Sequence, residues 1–216
     1  MLEKEKIAQN VQKLSINLNS TQMLRAAFEL IEIKRENIKR KVIFLVPISI
    51  VCLMLAMSKE TINQTESILE MINTVILSLF AVVFTGYALF QALMGDKLLL
   101  LLLMIESTND NDASSKLEET NKYFVKVMLL QFFLVMVNLS VTIFLKLIPT
   151  DWTLFDSITW NERICFVMLL ALLYINMDVI WETKSFIFNV FQLFNLHAFS
   201  RTADILEKES NDKAED

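Results

Sequence analysis

The sequence predicts an all-α integral membrane protein with four transmembrane helices that are extended by cytoplasmic helices. The chain has 216 residues, of which 54% are apolar and 21% are charged, and its mean hydropathy is +0.46. Only two glycines and two prolines interrupt it. The apolar residues collect in four stretches, near 42–57, 69–94, 123–148 and 164–183.

Each of these stretches is predicted to be a transmembrane helix. A helix rises about 1.5 Å per residue, so about 20 apolar residues cross the roughly 30 Å hydrocarbon core. Within that core a helix satisfies its own backbone hydrogen bonds. The chain then divides into a cytoplasmic N-terminal segment (1–41), a membrane domain (42–183) with a cytoplasmic hairpin (95–122), and a cytoplasmic C-terminal helix with an acidic tail (184–216).

The distribution of lysine and arginine predicts the orientation. Of the 20 cationic residues, seventeen lie in 1–41, in 95–126 or from 184 onward, and three lie in the connections between the first and second and the third and fourth stretches. Cations concentrate on the cytoplasmic side of membrane proteins. Both termini and the 95–122 hairpin are therefore expected in the cytoplasm.

The N-terminal segment carries an amphipathic helix that begins near Thr21. Ser20 or Thr21 is the expected N-cap. No glycine or proline separates this helix from the first span, so it is expected to run straight on through Lys39, Arg40 and Lys41. The long side chains of these residues can place their charged ends among the lipid headgroups.

A leucine-rich segment, Leu98 to Ile105, follows the second span and is too short to cross a bilayer. It either continues the helix into the cytoplasm or lies in the membrane interface. We favour continuation, because leucine is a strong helix former and a run of leucines requires burial. A polar loop follows at 107–112, and Ser115 with Glu118 has capping-box spacing at the start of the next helix.

A further helix is predicted over 185–208, where no residue type that breaks helices occurs. Its phenylalanines cover more than one helix face. Core packing explains them, and so does an interface with a second copy of the chain or with a cytoplasmic protein partner. The residues selected for such an interface are Phe186, Phe191 and Phe194.

Polar residues within the spans are the candidate functional residues, because ionisable groups are costly there. Asp178, Gln131 and Gln91 lie roughly 9, 7 and 6 Å from the cytoplasmic ends of their spans by helical rise, and Asn176 lies slightly deeper. This polar layer lines an ion or proton path, or it forms interhelical hydrogen bonds. Lys126, followed by Lys97, is the expected counter-charge of Asp178.

No catalytic, nucleotide-binding or metal-binding motif is present. The single histidine, His197, has no neighbouring ligand pattern and is assigned to packing or the surface. Cys52 and Cys165 lie within spans and behave as small apolar residues. We therefore expect no enzymatic activity, no metal, no cofactor and no direct binding of nucleic acid.

In size, number of spans and Lys/Asn/Ile-rich composition the chain resembles accessory membrane proteins of bacterial conflict systems. These are toxin or bacteriocin immunity proteins and membrane subunits of anti-phage defence systems. The resemblance implies a non-enzymatic sensor or effector subunit that acts through its cytoplasmic helices. Two alternatives remain: a homo-oligomeric ion channel or pore, and an immunity protein against a pore-forming toxin.

Overall fold

The structure, a computed structural model, describes residues 19–31, 38–105, 115–149 and 152–215. These ranges are almost entirely helical and contain no β-strand. The helices are α1 (Ser20–Phe28), α2 (Ile38–Ala56), α3 (Thr61–Leu93), α4 (Asp96–Met104), α5 (Lys116–Leu147) and α6 (Ile158–Glu215). The all-α prediction is confirmed.

Three helices are long and apolar enough to cross a membrane: α3, α5 and the part of α6 from Ile158 to Ala203. The apolar part of α2 runs from Lys41 to Ala56, which is about 24 Å at 1.5 Å per residue. It is shorter than the hydrocarbon core of a bilayer. By length and composition, three of the helices in the described residues could therefore span a membrane.

The amphipathic N-terminal helix does not run straight into the first span as predicted. It begins one residue earlier than expected, with Asn19 at the N-cap, where the backbone N–H of Asn19 donates to Gln22. It ends at Phe28 and passes into a 3₁₀ turn over Glu29–Ile31. Residues 32–37 lie outside the described residues, and α2 is described from Ile38.

The leucine-rich segment is also a helix of its own and not a continuation of the second span. α3 ends at Leu93, and Met94 and Gly95 adopt non-helical backbone angles before α4 begins at Asp96. One face of α4 packs against α5 and α6, and Leu98, Leu102 and Leu103 are buried there. The expected burial of the leucines is found, but it occurs in a separate helix that follows a non-helical break at Met94 and Gly95.

The predicted start of α5 is confirmed. Ser115 is its N-cap, and the backbone N–H of Glu118 donates to the Ser115 hydroxyl at 3.3 Å. The predicted polar loop over 107–112 lies outside the described residues. The predicted helix over 185–208 is the continuation of α6, which has no break between Ile158 and Glu215.

Two apolar clusters form the interior. The first joins α1, α2, α3, α5 and α6 and includes Ile48, Ile76 and Leu173. The second joins α3, α4, α5 and α6 and centres on the aromatic rings of Phe90, Phe124 and Phe186. Ring centroids within it lie 4.8 to 5.3 Å apart. This spacing is typical of packed aromatic pairs.

Gly86 allows α3 to approach α6 closely at the second cluster. A Cβ atom at position 86 would lie 2.8 Å from the Phe186 ring and 3.3 Å from Val190. Phe186 is 1% exposed, and Phe124 packs against it. The ring therefore cannot move away without disturbing other buried side chains.

Gly86→Leu should therefore lower the free energy of unfolding by about 1–3 kcal/mol, the usual cost of overpacking an interior. Unfolding by sodium dodecyl sulfate in mixed micelles measures this change. Gly95→Ser is the matched control, since nothing lies within 4 Å of a Cβ there and serine suits the N-cap of α4. Equal stabilities of the two variants would contradict the close contact.

Candidate functional site

A buried ion pair joins the start of α2 to the middle of α6. Lys41 Nζ lies 3.0 Å from Asp178 Oδ2, and the two side chains are 7% and 9% exposed. Lys41 Nζ also donates to the backbone carbonyl of Ile31 at 2.7 Å. It lies 5.8 Å from the centre of the Tyr174 ring. The ammonium group therefore holds three parts of the chain together: the 3₁₀ turn, α2 and α6.

Lys41 does not extend to the lipid headgroups as the sequence predicted. Its side chain turns inward because Asp178 and the Ile31 carbonyl offer a charged and a polar acceptor. Removing a charge from water is costly unless it is paired and hydrogen-bonded. Both conditions are met at Lys41.

The lysine that the structure places against Asp178 is Lys41, a residue that the sequence analysis had not chosen. Lys126, the first choice, lies 3.5 Å from Glu29, which is largely exposed. Lys97, the second choice, is exposed near the start of α4. Lys41 precedes its span in the sequence, which does not suggest a buried position. Only the packing of α2 against α6 brings it to Asp178.

Two further polar contacts connect α5 to α6. Asn138 and Asn176 are fully buried and donate to each other's side-chain oxygens, at 2.6 and 3.1 Å. Gln131 donates to the Thr183 hydroxyl at 2.8 Å, and both residues are 1% exposed. Interhelical hydrogen bonds of this kind average about 0.6 kcal/mol each in membranes.

These contacts fix the register of α5 against α6. Asn138 follows Gln131 by seven residues on α5, and Asn176 precedes Thr183 by seven on α6. Such matched spacing is what an antiparallel pair requires. The equal spacing is visible in the sequence and is the signal that could have identified both pairs.

The same register gives the level of the other charged groups. Met136 lies level with Asp178, Lys146 level with Met168, and Lys126 level with Phe188. Asp178 is thus ten residues from the level of either lysine, about 15 Å along the helix.

The predicted polar layer is only partly brought together. Asn176 and Gln131 are buried between α5 and α6, Asn176 two residues before Asp178 and Gln131 level with Thr183, five residues after it. Gln91 is exposed and does not join the buried groups. Within the described ranges, Gln131 Oε1 is a buried acceptor that has no hydrogen-bond partner.

The three phenylalanines selected as an interface have different environments. Phe186 is buried against Gly86 and Phe124 and belongs to the second apolar cluster. It cannot contact a partner, and its assignment to an interface is corrected to core packing. Phe191 and Phe194 are 59% and 54% exposed.

Among the described residues, no group of three histidine, cysteine or acidic side chains is placed to hold a metal ion. His197 is half-buried on α6. Cys52 and Cys165 are free thiols. No protein-family model, curated protein or solved structure significantly matches this chain. The buried polar contacts are therefore the features on which a functional interpretation rests.

Removing one member of the ion pair should be strongly destabilising. Asp178→Leu or Lys41→Met should each cost about 3–5 kcal/mol, because either change takes away the oppositely charged partner 3.0 Å from a buried charge. The double variant should recover most of that loss, since apolar side chains can replace a buried pair at little cost. Unfolding in mixed micelles measures all three variants.

Asp156→Asn, a substitution in an exposed loop, is the control and should change stability by less than about 0.5 kcal/mol. Additive losses in the double variant would show that Lys41 and Asp178 do not interact.

Proposed function

We propose that this protein is a non-enzymatic subunit of a bacterial inner membrane that acts as a sensor or effector together with a cytoplasmic protein. The resemblance to membrane subunits of anti-phage defence systems suggests that setting. The observation that carries the proposal is the Lys41–Asp178 pair, because it ties the N-terminal segment to a helix that continues far beyond the membrane.

The buried polar groups support a coupling role more than a conducting one. Asp178, Asn176 and Gln131 each have a partner on another helix. Groups that line a wet path face water, whereas these three are almost fully enclosed. A single bundle of this size with its polar groups turned toward one another favours a closed structure.

The length of α6 supplies the connection between membrane and cytoplasm. Its 58 residues span about 87 Å at 1.5 Å per residue. A bilayer core takes up roughly 30 Å of this length. Because the helix has no break, a displacement of α6 at Asp178 also displaces the cytoplasmic part of α6. Opening of the ion pair would then release the 3₁₀ turn and α2 from α6.

We infer four crossings with both termini in the cytoplasm. The cation distribution supports this orientation, and α3, α5 and α6 supply three crossings. α2 contacts α6 at the level of Asp178, near the middle of the bundle. From there α2 extends to the outer end of the bundle. We infer that its apolar part, Lys41–Ala56, supplies the fourth crossing.

Cysteine labelling in intact cells tests this topology. Single cysteines are placed at four exposed positions, in a variant that lacks Cys52 and Cys165: Thr21, Gln64, Thr153 and Ala203. A membrane-impermeant maleimide should label Gln64→Cys and Thr153→Cys, and should label the other two only after lysis. Labelling of Thr21→Cys without lysis would leave three crossings and refute the inferred orientation.

Ion flux from liposomes distinguishes a coupling subunit from a pore. The purified full-length chain should release potassium or protons no faster than empty liposomes, because Asp178, Asn176 and Gln131 are enclosed and each contacts a partner on another helix. A faster release that Asp178→Asn abolishes would establish the pore instead, since asparagine keeps the size of the side chain but removes its charge. Gramicidin in the same liposomes is the positive control.

A further inference from the structure

The exposed apolar surface of α6 is longer than a bilayer can cover. Ile158 is 74% exposed at one end of this surface, and Leu206 is 60% exposed at the other. The distance between them is about 72 Å along the helix, against roughly 30 Å for the hydrocarbon core. Part of this surface must therefore meet something other than lipid tails.

A charged cluster at the outer end of the bundle limits where the hydrocarbon can lie. Lys146 Nζ is 2.8 Å from Glu70 and 3.2 Å from Glu66, and about half of the Lys146 side chain is exposed. Charges in the middle of a membrane cost about 2.5–3.5 kcal/mol or more each. The outer boundary of the hydrocarbon therefore lies near this cluster.

The α5–α6 register converts that boundary into a position on α6. Lys146 is level with Met168, and 30 Å of hydrocarbon corresponds to about 20 residues. The inner boundary then falls near Phe188, and a tilt of about 20° moves it by only about one residue. Phe191, Phe194 and the apolar residues that follow lie past it, where water would otherwise contact them.

These residues form one face of α6, which we call the α6 face: Phe191, Phe194, Ala198, Phe199, Ile205 and Leu206, all of them exposed. The opposite side of the same segment carries Val190, Leu193 and Leu196, which pack against the second apolar cluster. The chain therefore covers the opposite side of this α6 segment and leaves the α6 face exposed.

The charge pattern indicates what covers the α6 face. No lysine, arginine, aspartate or glutamate occurs between Lys184 and Arg201. Copies of one protein in one membrane share their orientation, so a symmetric contact brings identical residues together at the same level. A charged face would repel itself in such a contact, whereas the charge-free part of the α6 face, from Phe191 to Phe199, meets itself without like-charge repulsion.

We propose that the α6 face is the contact surface between copies of this chain, with their α6 helices parallel and in register. Phe191 and Phe194 of one copy pack against the same residues of the next just inside the cytoplasm. Aromatic side chains are enriched at the centres of protein interfaces. The proposal rests on the proposed membrane placement, and it identifies the α6 face as the surface through which copies of the chain associate.

Disulfide cross-linking in native membranes tests the contact, in full-length protein with Cys52→Ala and Cys165→Ala. Ala198→Cys lies on the α6 face, and Ala203→Cys lies about 140° around the helix, also exposed. Mild oxidation should give several-fold more homodimer with Ala198→Cys. Equal yields, or cross-linking of Ala198→Cys to a different protein only, would overturn the proposal.

A charge substitution gives an independent test. Phe191→Glu with Phe194→Glu should convert the oligomer to a monomer in lipid nanodiscs, because identical carboxylates then face each other. Gln192→Glu, exposed but turned to the side, is the control and should leave the oligomer intact. A wild-type chain that is already monomeric in nanodiscs would refute the contact.

The topology labelling separates the two proposals. If labelling of Gln64→Cys and Thr153→Cys follows the predicted pattern while cross-linking fails, the membrane placement stands and self-association through the α6 face is refuted. If the labelling pattern fails, the level assigned to the α6 face fails with it, whatever the oligomeric state.

Discussion

The antiparallel contact between α5 and α6 sets the relative height of the other helices. Its register depends on two polar contacts, Asn138 with Asn176 and Gln131 with Thr183. A shift of one helix by a turn would leave four buried polar side chains without their partners, and an unpaired buried polar group costs about 1–3 kcal/mol. Apolar contacts alone discriminate far less between neighbouring registers, since one leucine can replace another.

With that register fixed, side-chain packing and charge determine the positions of the remaining helices. α3 approaches α6 at Gly86, where the missing side chain makes room for Phe186. α4 begins after a non-helical break at Met94 and Gly95 and buries three of its leucines against α5 and α6. α2 is held by the Lys41–Asp178 pair, a buried contact that depends on charge.

The ion pair also bears on which functions suit this bundle. A buried lysine and aspartate are expensive to place and are weak contributors to stability compared with an apolar pair of the same volume. Their value lies in specificity, because Lys41 contacts Asp178 and the Ile31 carbonyl at once. A contact of this kind can open and close without unfolding the helices, which suits coupling between the N-terminal segment and the long α6.

Much of this architecture follows from the sequence because it depends on local composition. Long apolar runs with almost no glycine or proline form helices in any apolar surrounding, which accounts for α3, α5 and the uninterrupted α6. The Ser115 N-cap follows in the same way, since the hydroxyl and the N–H that it accepts from are three residues apart. Asp178 could be predicted as a candidate functional residue, because a carboxylate is rare within an apolar stretch.

The partners of the buried groups were decided only by the tertiary structure. Lys41 and Asp178 are 137 residues apart, and no local pattern connects them. Phe186 and Phe191 look alike in sequence, yet one is buried and the other exposed, because Gly86 receives only the ring that faces α3. The end of α1 at Phe28 and the turn at Gly95 have the same origin. Continuing either helix is locally favourable, but packing against the bundle buries more apolar surface.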